Sequence, residues 1–180
     1  MSTPHRITDP LPLRLARGLE DDERLDQLVD AAAPLAQAVV GDGPRRSMLR
    51  GDTVGHKLHP VLTDLPVGLW TAATVLDLVG GNQSRAAARR LVGLGLLAVA
   101  PTVATGLADW QRGDRGGQRV GVVHAVLNAG AASLFGLSWL ARRGGHHGLG
   151  ALVGLGANGA LAAGGYLGGH MAFGRTASMD

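Results

Sequence analysis

Four apolar stretches, Val61–Leu78, Leu91–Leu107, Val120–Leu140 and Leu149–Phe173, follow one another with short arginine-bearing gaps. At 1.5 Å of helical rise per residue, each is long enough with its flanking residues to cross a hydrocarbon core of about 30 Å. The expected fold class is therefore all-α: an integral membrane four-helix bundle with an amphipathic N-terminal helical segment. The mean hydropathy of +0.14 conceals this, because residues 1–57 are polar and charged and dilute the average.

A chain of 180 residues has room for one compact membrane domain and an appendage. Residues 1–12 carry three of the eight prolines and His5, and read as an unpacked tail. Over 13–57 the apolar positions Leu15, Leu19, Leu25, Leu28, Val29, Ala32, Leu35, Ala36 and Val39 recur at helical spacing, interrupted by Gly18 and Pro34. This predicts one or two amphipathic helices outside the membrane, lying on the bilayer or the bundle or presented to a partner, and ending at Gly41-Asp-Gly-Pro44. The membrane domain is expected over 58–174, with helices near 58–80, 88–109, 119–141 and 149–173, followed by a tail at 175–180.

Composition removes several function classes. The sequence pI near 10.5 does not signal nucleic acid, because the basic residues flank helices instead of forming a stripe with interleaved aromatics. With no cysteine, the chain can hold neither a disulfide nor an iron–sulfur cluster, so any metal must use His, carboxylate or carbonyl groups. The acidic run Glu20, Asp21, Asp22 and Glu23, with no apolar core before it, argues against a cleaved signal peptide. No Ser-His-Asp arrangement, phosphate loop or zinc-protease motif is present, so the chain is not expected to be an enzyme on its own.

Positive charge sets the expected orientation. Arg45, Arg46, Arg50, Lys57, Arg112, Arg115, Arg119 and Arg175 fall on one side, against Arg85, Arg89, Arg90, Arg142 and Arg143 on the other. Eight against five places both termini in the cytoplasm of a prokaryotic cell, with Trp110 and Trp139 at opposite interfaces.

The helix interiors carry the chemistry. Pro60 suits a first helical turn and places His59 at the helix start; Pro66 is expected to kink the helix near Asp64. Pro101 lies in the second helix with Thr102 and Thr105 able to bond helix carbonyls. His124 and Asn128 are four apart on one face of the third helix. The fourth has Gly150-x3-Gly154 and the overlapping frames Gly164-x3-Gly168 and Gly165-x3-Gly169, spacings that allow tight helix packing or a homo-oligomer seam.

Antiparallel order brings His56, His59, Asp64, Asp109, His124 and His170 to a similar depth at one face. Three readings fit. A hydrogen-bonded network could tie the helix ends together in a non-catalytic membrane scaffold. Haem b or a single transition metal could be held by His124 and His170, with His56 and His59 as further ligands and Asp64, Asp109 and Asn128 supporting them. An ion or proton pathway is the third, weakened because the opposite leaflet has little that ionises besides Asp77. His146 and His147, in Gly144-Gly-His-His-Gly148, read as a flexible polar loop.

Gly55-His-Lys-Leu-His-Pro60 running into Leu62-Thr-Asp-Leu-Pro-Val-Gly68, with Gly106-Leu-Ala-Asp-Trp110, His124 and Gly164-Gly-Tyr-Leu-Gly-Gly-His170, resembles the family known as domain of unknown function 2231. The resemblance spans roughly residues 25–173 and implies a prokaryotic four-helix membrane protein. Some members are linked to Rieske-type iron–sulfur domains, which by resemblance tips the histidines toward redox chemistry. This chain has no cysteine-bearing extension, so a Rieske-type partner would be a separate protein.

Overall fold

The computed structural model describes residues 9–174, so the outer part of the expected N-terminal tail, His5 and the tail at 175–180 lie outside the described residues. Seven α-helices and no strand are present among them: α1 (Leu11–Asp21), α2 (Asp26–Val40), α3 (Gly43–Arg50), α4 (His59–Val79), α5 (Arg85–Trp110), α6 (Arg115–Arg143) and α7 (His147–Gly169), which ends in a π-helical turn at His170–Gly174.

The last four helices are the spans. Only 17% to 33% of the most apolar window of each is buried inside the protein, so most of that surface faces outward, as suits a lipid environment and would not suit water. They run longer than their apolar stretches. Apolarity marks the hydrocarbon core, whereas the helix continues into the interface through Arg85, Arg89 and Arg90 or Arg142 and Arg143.

Two boundaries differ from expectation. Helix α1 begins at Leu11, inside the expected tail, with proline in its first turn, where no amide hydrogen is needed. The linker expected after Val40 contains α3, which also opens on proline and stops where Gly51 turns to φ +79°. Helices α2, α4 and α5 are continuous through Pro34, Pro66 and Pro101. In α5 the Thr102 hydroxyl bonds the carbonyls of Ala98 and Leu62 and that of Thr105 bonds Pro101, as the sequence suggested.

The spans pack in the cyclic order α4, α5, α6, α7, and α4 touches α7 far less than α6 does. At the centre Trp70 stacks on Phe135 with ring centroids 4.2 Å apart, and its indole donates to the Val92 carbonyl at 3.2 Å. The α6–α7 seam is closed by glycine. A Cβ on Gly150 would lie 2.8 Å from the Ser138 carbonyl oxygen, and one on Gly164 would lie 2.6 Å from the Asn128 amide. Of the two overlapping frames in α7, Gly164-x3-Gly168 is the packed one, while Gly165 and Gly169 face open space.

The N-terminal helices are bolted across one face of the bundle. Asp26 accepts hydrogen bonds from Arg119 at 2.7 and 2.9 Å and from Arg115 at 2.9 Å, while Arg119 also bonds the Glu20 carbonyl. The Arg119 hydrogen bond is the chief reason the Asp26 carboxyl is more acidic than an ordinary aspartate.

Candidate functional site

His59 is the first residue of α4 and His124 lies in the third turn of α6, on diagonally opposed helices. Their imidazoles meet in a T-shaped, edge-on arrangement across the bundle, with centroids 6.4 Å apart and ring planes at 82°. Nδ1 of His59 lies 3.0 Å from the Thr102 carbonyl oxygen, and Nδ1 of His124 lies 2.8 Å from that of Gly164. A carbonyl only accepts, so both Nδ1 atoms carry the proton in these bonds, and in the neutral rings both Nε2 atoms keep a lone pair. Glycine makes room for each ring: a Cβ on Gly106 would lie 2.8 Å from His59 Cε1, and one on Gly168 would lie 3.0 Å from His124 Cε1. Asn128 donates to the His124 carbonyl oxygen at 2.8 Å and sits against the same ring.

The other expected site residues are placed differently. His170 is buried, but its Nε2 meets Glu20 of α1 at 3.0 Å. It follows Gly168 by two residues, about 200° around the helix, so it turns away from the face that His124 packs against. His56 is exposed in the loop before α4. Asp64, expected as a buried acid near a kink, is exposed on the outer surface of α4, because Pro66, Trp70 and Ala73 define that helix's buried face. Asp109 stays close to the pair, within electrostatic range of His59, Lys57, Arg112 and Arg50, and its buried Oδ1 has no hydrogen-bond partner.

At the opposite face the structure holds a cluster that spacing alone did not reveal. Arg142 of α6 donates to both oxygens of Asp77 on α4, at 2.8 and 2.6 Å. His147 Nε2 lies 3.1 Å from Asp77 Oδ1, and Arg142 Nε bonds the Ser138 hydroxyl. His147 is thus no part of a flexible loop; it is the first residue of α7 and is held to α4. Asp77 follows Pro66, Trp70 and Ala73 at helical intervals, the signal in the sequence that it faces inward.

Residues 55–180 match the family described as predicted membrane protein (DUF2231). The chain belongs to this family. No curated protein and no solved structure matches it. The DUF2231 match begins just before α4, so it takes in the whole bundle and both histidines of the facing pair. Glu20, which engages His170, and Asp26, which anchors the N-terminal helices, lie before the matched DUF2231 region. Among the described residues no group of three or more His, Cys, Asp or Glu side chains is arranged to hold a metal ion.

Proposed function

We propose that this DUF2231 protein is a membrane redox module that holds haem b through the Nε2 atoms of His59 and His124. The observation that carries this reading is the facing pair itself, with both Nδ1 atoms engaged by backbone carbonyls. Metal-ligating histidines almost always donate their second ring nitrogen in this way, which fixes the ring and directs the remaining lone pair.

Ligand number favours haem over a bare transition metal. A closed structural site for a bare ion such as zinc takes four protein ligands, whereas haem would ask fewer of the protein, and His59 and His124 are the two imidazoles that would hold it. When bound, haem supplies one-electron chemistry. The chain's own residues hold the two rings in one tautomer, Asn128 fills the side of His124, and Asp109 places a carboxyl group within electrostatic range of His59. With no cysteine in this chain to ligate an iron–sulfur cluster, its proposed electron partner is a Rieske-type or other redox protein. The positive-charge bias supports a cytoplasmic position for this face, and the family resemblance supports a prokaryotic inner membrane.

The test is the visible spectrum of detergent-purified protein, oxidised and then reduced, with metal analysis on the same sample. The expected result is a Soret band that sharpens on reduction, lost in His59→Ala and in His124→Ala but kept in His146→Ala and His170→Ala. Absence of haem and of stoichiometric metal, after both have been supplied during expression, refutes the reading and leaves a scaffold whose histidines tie helices together.

A further inference from the structure

At the Asp77 face, α5 opens on Arg85, Arg89 and Arg90, and α6 closes on Arg142 and Arg143. Arg142 is neutralised by Asp77. Arg89, Arg90 and Arg143 instead line, together with Trp139, an open cleft of about 390 Å³ between the two helices. None of the three forms an ion pair among the described residues, where each arginine at the other face that meets Asp26 is paired. The Arg143 guanidinium rests on the Trp139 ring, 4.8 Å from its centroid. The indole is itself wedged against α5, its Nε1 lying 2.8 Å from where a Cβ on Gly93 would stand.

Three convergent positive charges with no carboxylate among them call for an anion, and the surface below says which kind. Arg90, Leu94 and Leu97 lie on one stripe of α5, and Leu140 precedes Arg143 on α6; all three leucines are exposed. Charge at the membrane surface with bare apolar side chains beneath it matches an amphiphile, and tryptophan marks the interfacial depth. We propose that this cleft binds the phosphate headgroup of an anionic phospholipid from the surrounding leaflet. Arg89, Arg90 and Arg143 donate to the phosphate oxygens, Trp139 forms the floor, and the acyl chains run along Leu94 and Leu97. Guanidinium forks bind phosphate bidentately, which lysine at these positions could not do.

The test is native mass spectrometry of the full chain in mild detergent, supplied with phosphatidylglycerol, phosphatidylcholine or inorganic phosphate. One phosphatidylglycerol is expected to stay bound where phosphatidylcholine does not. The double change Arg90→Gln with Arg143→Gln should weaken retention about thirtyfold, from about 1 kcal/mol per arginine near an anionic lipid. Should that variant not fold, Arg90→Gln alone, at an exposed position, should weaken it about fivefold. Arg85→Gln, on the same helix but outside the cleft, should change nothing. Equal retention of the two lipids, an equal loss in Arg85→Gln, or no loss in the cleft variants overturns the proposal. Displacement of the lipid by inorganic phosphate at matched concentration would show a free-anion site and overturn the lipid assignment.

Discussion

Replacing Asp77 by alanine should destabilise the bundle by about 3–5 kcal/mol, the usual cost of stranding one member of a buried ion pair. The Arg142 side chain is 1% exposed and that of Asp77 7%, so bulk water offers the stranded guanidinium little relief. It would lose two charge-assisted hydrogen bonds, at 2.8 and 2.6 Å, each worth about 1.5–3 kcal/mol. What remains is the neutral Ser138 hydroxyl at 3.1 Å and a 3.4 Å contact with His147, neither of which brings negative charge. Removing both charges together, as Asp77→Leu with Arg142→Met, should cost less than Asp77→Ala alone, because no charge is left unpaired. Reversible unfolding in mixed micelles of increasing dodecyl sulfate content, followed by circular dichroism, measures both variants. A cost below about 1 kcal/mol for Asp77→Ala, typical of solvent-screened pairs, or a double variant at least as costly as Asp77→Ala, would refute the argument.

The glycine frames of α7 make a paired prediction in the same assay. Gly150→Ala pushes a methyl against the Ser138 backbone carbonyl and should cost about 1–3 kcal/mol through overpacking. Gly165→Ala meets open space and should be neutral or stabilising by up to about 1 kcal/mol. The N-terminal clamp should be sensitive to acid. The folded pKa of Asp26 is depressed, chiefly by its hydrogen bond to Arg119, below the ordinary value of 3.8. Its contribution is therefore fully present above that value and is lost as pH falls through the folded pKa. Limited proteolysis before Gly43 should accelerate below pH about 4 and at neutral pH in Asp26→Asn; an N-terminal segment equally protected under both conditions would place its anchorage elsewhere.

The sequence disclosed depth more readily than direction. Distance from a helix end follows from counting, so the level of His59, His124, Asp109 and His170 was legible, as were the four spans. Azimuth requires knowing which face is core. Pro66, Trp70, Ala73 and Asp77 recur at helical intervals, and His59 lies seven residues before Pro66, so a wheel drawn through Trp70 turns His59 and Asp77 inward and Asp64 outward. The same construction on α6 aligns His124 and Asn128 with the buried Ala131 and Phe135. On α7 it sets Gly164 and Gly168 toward His124 and directs His170 elsewhere. The partner of His170 was not legible at all, because Glu20 belongs to a helix whose docking no local pattern encodes. Helix α3 was hidden by a Gly-Pro pair that reads as a terminator, although proline is equally at home in a first turn.

The clamp across the histidine face also imposes an order on biosynthesis. Glu20 meets a residue 150 positions later, and Asp26 meets arginines 89 and 93 positions later. At elongation rates of about 5–20 residues per second, Glu20 waits roughly 8–30 s for His170 to be made. Through that interval the N-terminal helices leave the ribosome without their receptor, because the α5–α6 turn and the end of α7 must first arrive on the same side of the bilayer. Completion of their docking, through Glu20 on His170, is accordingly the closing step of assembly. It is available only to chains whose four spans have been threaded in the right sense, so a nascent chain with one span inverted is left with an undocked, protease-accessible N-terminus.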